Sequence, residues 1–182
     1  MLYLLPPALM LWINYGNSAG AYVVVVPVLI MAGGQLAGGL AWLAISGEDA
    51  HDLVATAPVS ARSVLIAKIE AVLVIIAAIL APLILLLALS SLRVALVTAA
   101  CVALSASSAT AIQLWFRVVA KRSMFRRRQV ASRAATLSEA FASIMWAATG
   151  ALWAAGSIVA IVPAIVAILV LGLARLLSPR RS

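Results

Sequence analysis

Long apolar runs separated by short polar breaks are the feature that most constrains the fold of this 182-residue chain. Hydrophobic residues make up 66% of it, and only 10% of its residues are charged. The hydrocarbon core of a membrane is about 30 Å thick and requires about 20 apolar residues of helix, because backbone polar groups left unpaired in lipid cost several kcal/mol. The pattern therefore predicts an all-α polytopic membrane protein.

The apolar runs predict about six transmembrane helices in a single domain that covers residues 1–182. The predicted spans lie near residues 2–13, 21–46, 64–90, 94–115, 137–153 and 158–177. Charged loops at residues 47–62 and 116–133 alternate with short, nearly uncharged breaks. The first run is shorter than a full crossing requires, so we expect either a tilted or interfacial segment or an N-terminally truncated chain.

The distribution of basic residues predicts the orientation of the helices. The chain has 13 Lys and Arg residues against 5 Asp and Glu, and its net charge is +8. If both termini and the two charged loops face the cytoplasm, every basic residue except Arg93 lies on or next to that side, as the positive-inside rule requires. Membrane lipids are the partners that this excess of charge predicts, and no nucleic acid is needed to explain it.

An acidic cluster opens the first charged loop, where Glu48, Asp49 and Asp52 surround the only histidine, His51. A metal site, a proton relay, a catalytic pair and a docking surface are all open to such a cluster. Glu48, His51 and Asp52 would share one face of a helix, but a single imidazole with carboxylates is a poor set for a borderline-soft metal. We predict no metal site there.

Motifs for catalysis are missing from the chain. It contains no GxSxG, no GxxxxGK[ST] and no HExxH sequence, so neither an activated nucleophile nor a phosphate-binding loop is indicated. We therefore expect no enzyme activity, no catalytic residue and no cofactor, and any ATP hydrolysis would belong to another chain.

A docking surface explains the cluster better. Ser46 followed by Asp49 resembles an N-capping box, and acidic residues in a first turn interact favourably with the helix dipole. These features predict a short cytoplasmic helix near residues 47–56 that ends before Pro58, with Ser60 capping the next spanning helix.

Small and polar residues inside the spans predict close helix contacts. Gly34 and Gly38 have GxxxG spacing and are flanked by two further glycines, which favours packing within the chain, a dimer interface or a flexible gate. A possible intramembrane polar site would use Glu70, Ser105, Ser108 and Gln113, as hydrogen-bonding groups between helices or as the lining of a substrate path.

The first charged loop resembles that of a known family. The stretch "GEDAHDLVATAPVSARSVLIAK", residues 47–68, is similar to the cytoplasmic loop of type-2 ABC exporter permeases, and "QLWFRVVAKRSMFRRR", residues 113–128, is similar to a later basic loop in bacterial members. The resemblance implies a permease subunit in the bacterial inner membrane, whose loop forms a coupling helix.

The resemblance also implies partners. An ATP-binding-cassette ATPase subunit would dock on the coupling helix, and a second permease chain would form a homodimer or heterodimer with the first. The residues expected to contact the ATPase are Gly47, Glu48, Asp49, Asp52, Leu53, Pro58 and Ser60. The alternative is a non-transporting polytopic scaffold or accessory subunit.

Overall fold

A computed structural model describes residues 21–46, 60–116 and 133–178 of the chain. Within these ranges the regular structure is helical, and no strand occurs. The predicted span at residues 2–13 lies outside the described residues, as do the predicted coupling helix and most of the second charged loop.

The helices are α1 (Ala21–Ser46), α2 (Ala61–Ser90), α3 (Leu92–Trp115), α4 (Arg133–Ala154), a 3-10 helix (Ile158–Ala160) and α5 (Ile161–Leu177). Four stretches are long and apolar enough to cross a membrane: Val24–Ala44, Arg62–Ser90, Leu92–Trp115 and Ile158–Leu177. The chain is therefore a multi-pass α-helical membrane protein. Helix α4 coincides with the predicted span at 137–153 but is not one of these four stretches.

Serine side chains define the ends of α2 and α3. The hydroxyl of Ser60 accepts a hydrogen bond of 3.1 Å from the backbone N–H of Ser63, so Ser60 caps α2. Ser91 alone joins α2 to α3: its N–H donates to the carbonyl of Leu87, and its hydroxyl accepts from the N–H of Val94. The two helices thus form a hairpin connected by a single residue.

The turn after α4 is closed by a glycine. Gly156 has φ 80°, a conformation that residues with a Cβ adopt only at a cost. Its N–H donates to the carbonyl of Trp153, while the N–H of Ser157 donates to the carbonyl of Leu152. These two bonds form a Schellman motif, which satisfies carbonyls that the end of a helix leaves free.

Helices α1, α3 and α4 pack against one another and form the centre of the bundle. Helix α2 contacts α1 and α3, whereas α5 contacts α4 and, less extensively, α3. Large apolar side chains on α2 and α5 are exposed, among them Val74, Leu85, Ile161 and Leu173. Such faces suit contact with lipid, because lipid tails are as apolar as these side chains.

Candidate functional site

The glycines of α1 allow its backbone to lie directly on α3 and α4. A Cβ added at Gly34 would overlap the hydroxyls of Ser105 on α3 and Ser143 on α4, and one added at Gly38 would overlap the carboxylate of Glu139 on α4. A Cβ at Gly39 would meet nothing. The GxxxG face therefore packs within the chain, which is the first of the interpretations that the sequence left open.

A carboxylate and an amide meet beneath Gly38. Glu139, whose exposed fraction is 7%, accepts a hydrogen bond of 2.6 Å at Oε2 from Nε2 of Gln113. Gln113 lies near the end of α3 and Glu139 near the start of α4, so the pair joins the two helices at one end of the bundle. An acidic group in such a place is costly, and for this reason it is a candidate for function by default.

Two hydroxyls converge on Gly34. Ser105 and Ser143 each have an exposed fraction of 1%, and neither Oγ has a hydrogen-bond partner among the described residues. A buried hydroxyl without a partner costs about 1–3 kcal/mol. The threonines nearby differ, since Thr98 and Thr110 each donate to a carbonyl of their own helix.

A third pair extends the polar contacts between α3 and α4. The indole Nε1–H of Trp146 donates a 3.0 Å hydrogen bond to the hydroxyl of Ser108, which itself donates to the carbonyl of Leu104. We call the whole set the polar seam. Its members are Gly34 and Gly38 on α1, Ser105, Ser108 and Gln113 on α3, and Glu139, Ser143 and Trp146 on α4.

The structure brings together three of the four predicted intramembrane polar residues. Ser105, Ser108 and Gln113 lie in the polar seam, whereas Glu70 is exposed on α2. Of the seven predicted contacts of the coupling helix only Ser60 is described, and it caps α2 as expected. Gly47, Glu48, Asp49, Asp52, Leu53 and Pro58 lie outside the described residues.

Glu139 is the seam residue that sequence reasoning missed. It is the only charged residue in the predicted span at 137–153, and this was a signal that could have found it. A lone acid in an apolar run is expected to face the interior of a bundle.

The seam offers hydroxyl, amide and carboxylate oxygens in a largely apolar interior. Such groups can hydrogen-bond a small polar molecule, hold a hard cation or carry a proton. The seam contains no soft metal ligand such as a thiolate. Within the described ranges, no group of three or more His, Cys, Asp or Glu side chains is arranged to hold a metal ion.

The fold and the seam define a multi-pass α-helical membrane protein with buried polar groups between its three central helices. No protein-family model, curated protein or solved structure matches the chain.

Proposed function

We propose that the chain is the membrane-spanning permease subunit of an ABC exporter in the bacterial inner membrane. It would couple ATP hydrolysis by a separate nucleotide-binding subunit to the export of a substrate. One observation carries the proposal: α1 ends at Ser46, where the loop that resembles a coupling helix begins, and the same helix lies on the polar seam through Gly34 and Gly38.

This arrangement supplies a route for mechanical coupling. A force on the loop acts on the end of α1, and α1 approaches Ser105, Ser143 and Glu139 so closely that no side chain fits between them. If α1 slid or rotated, a residue larger than glycine would face the contact with α3 and α4, and the three helices would separate. Packed interfaces respond to such a displacement by switching between discrete arrangements rather than by deforming continuously.

The seam is also the part of the bundle best suited to a polar substrate. When α1 moves away, the free hydroxyls of Ser105 and Ser143 and the carboxylate of Glu139 become available for hydrogen bonds. In the closed arrangement α1 covers them and excludes water. Opening toward one side of the membrane at a time is the alternating access on which transporters depend.

The outer helices leave room for the second permease chain of such an exporter. Helix α2 contacts only α1 and α3 among the described helices, and the side chains that it exposes between Glu70 and Ser90 are apolar. A second chain packed there would cover apolar surface and bring the two coupling loops to the same side of the membrane.

A crosslinking experiment tests the proposal directly. A photoreactive amino acid is placed at residue 48 or 52, and the full chain is expressed in its own host. After illumination, the protein crosslinked to the chain is identified by mass spectrometry. We expect an ATPase with a phosphate-binding loop at both positions. The same amino acid at residue 70, which is exposed on α2, is the matched control and should capture no ATPase.

The isolated complex then allows coupling to be measured. Glu48→Lys, Asp52→Lys and Pro58→Leu should each lower ATP hydrolysis by the complex and transport into vesicles, while insertion of the chain into the membrane is unchanged. Glu70→Gln should leave hydrolysis at its original rate. Capture of a protein without nucleotide-binding motifs, together with unaltered hydrolysis in all three variants, would instead favour the scaffold.

A further inference from the structure

A concave feature lies at the end of the bundle opposite to Glu139 and Gln113. Here the start of α3, the end of α4 and the start of α5 enclose a groove of about 370 Å³. Its lining includes Arg93 from α3, Trp153 from α4, Gly156 from the turn after α4, and Ile161 and Ile165 from α5. We call this feature the Arg93 groove.

Among the residues that the structure describes, Arg93 is the only charged one that lines the groove. It is exposed, and its Nη2 lies 3.8 Å from the position that a Cβ on Gly156 would take, so the guanidinium reaches over the turn after α4. The described acids are remote from Arg93, which lies where α2 and α4 end. Glu70 lies about 30 Å along the helix before the end of α2, and Glu139 lies about 22 Å before the end of α4. Within the described ranges no carboxylate neutralises this cation.

Apart from Ser157, the rest of the described lining is apolar, and much of it belongs to α5. Ile161, Ile165 and Ile168 follow one another at intervals of four and three residues, so they share one face of the helix. All three side chains are exposed. Trp153, with an exposed fraction of 55%, lines the same groove as Arg93, and indoles are enriched at the level of lipid headgroups.

The groove combines a cation at the membrane surface with an apolar stripe that descends into the bilayer. A phospholipid has the complementary parts. The phosphate of a lipid headgroup accepts hydrogen bonds from a guanidinium in a bidentate geometry, and an acyl chain fills an apolar channel. We propose that the Arg93 groove is a binding site for one anionic phospholipid, with its phosphate on Arg93 and an acyl chain along Ile161, Ile165 and Ile168. This site depends neither on the ATPase nor on the direction of transport.

The full chain is released from bilayers that contain equal amounts of phosphatidylglycerol and phosphatidylcholine. Native mass spectrometry then measures the number and class of the lipids that it retains. We expect one retained phosphatidylglycerol. Arg93→Gln should reduce its retention roughly fivefold, because one basic residue near an anionic lipid contributes about 1 kcal/mol. Arg62→Gln, which removes an exposed cation at the opposite end of the bundle, is the matched control and should not change retention.

A spectroscopic measurement separates binding at the groove from binding elsewhere. Phosphatidylglycerol with brominated acyl chains should quench tryptophan fluorescence more strongly than brominated phosphatidylcholine, and Trp153→Phe should remove this difference. Thermal unfolding of each variant checks that the fold is intact. Equal retention of both lipids by the native chain, or a retention of phosphatidylglycerol that Arg93→Gln leaves unchanged, would overturn the site. Loss of a dimer in Arg93→Gln without loss of lipid would assign the groove to a second copy of the chain.

Discussion

The carboxylate of Glu139 on α4 lies against the Cα of Gly38 on α1, in the space that any larger side chain at residue 38 would occupy. Gly34 bears the same relation to Ser105 and Ser143. On the side of α1, Ser105, Ser143 and Glu139 are therefore covered by glycine backbone rather than by a side chain. This makes the fit between α1 and its neighbours sensitive to a single methyl group.

Gly38→Ala is expected to lower the free energy of unfolding. The added methyl overlaps the Glu139 carboxylate, and forcing extra volume into a packed interior costs about 1–3 kcal/mol. Gly39→Ala is the matched control, because a Cβ there meets no atom, and it should be neutral or stabilising by up to about 1 kcal/mol, since alanine has the higher helix propensity. Thermal unfolding in detergent compares the two, and equal transition temperatures would contradict the packing.

Ser105→Ala and Ser143→Ala are expected to be neutral or stabilising. Each removes a buried hydroxyl without a hydrogen-bond partner, whose burial costs about 1–3 kcal/mol. Ser108→Ala should have the opposite sign, since it leaves the indole N–H of Trp146 unpaired. If the seam lines the transport path, the first two variants also transport more slowly despite their stability. A destabilising effect in all three would mean that Ser105 and Ser143 have partners.

Gln113→Leu should destabilise the bundle by about 1.5–3 kcal/mol, because it removes the hydrogen bond to a buried carboxylate. The same change in a Glu139→Leu background should cost much less. A double-mutant cycle in detergent measures the coupling energy, and neighbouring partners of this kind give about 0.5–3 kcal/mol. A coupling energy near zero would show that the two side chains act independently.

Gly156→Ala tests the turn that carries the Arg93 groove. The left-handed conformation costs a residue with a Cβ about 1–2 kcal/mol, so the variant should unfold at a lower temperature. Gly172→Ala on α5 is the control, since a Cβ there meets no atom and alanine has the higher helix propensity. The control should be neutral or slightly stabilising, and a similar loss in both would contradict the assignment of the turn.

The helices were largely predictable from the sequence. Predicted runs at 64–90, 94–115 and 137–153 lie within Ala61–Ser90, Leu92–Trp115 and Arg133–Ala154. Each helix begins a few residues earlier than its apolar run, because hydropathy marks the part that suits the hydrocarbon, whereas the helix continues to its cap. Ser60 illustrates the difference, since a capping residue is polar and lies before the apolar run.

The partners of the polar side chains were less predictable. Hydropathy gives the depth of a residue in the membrane, but burial depends on how each helix is rotated and which helices pack beside it. Glu70 and Glu139 both follow the start of a helix by a similar distance, yet Glu70 is exposed on an outer helix and Glu139 is buried on a central one. That distinction requires the three-dimensional arrangement of α1, α3 and α4.

The single-residue connection at Ser91 has a consequence for biosynthesis. Helix α3 follows α2 with no intervening loop, so α2 already has a neighbour for one of its faces as soon as α3 has been made. The contacts within the hairpin are local in sequence, and local contacts form quickly. We therefore expect the pair to enter the lipid phase together, before α4 and α5 have left the ribosome, and α4 to complete the burial of Ser105 afterwards.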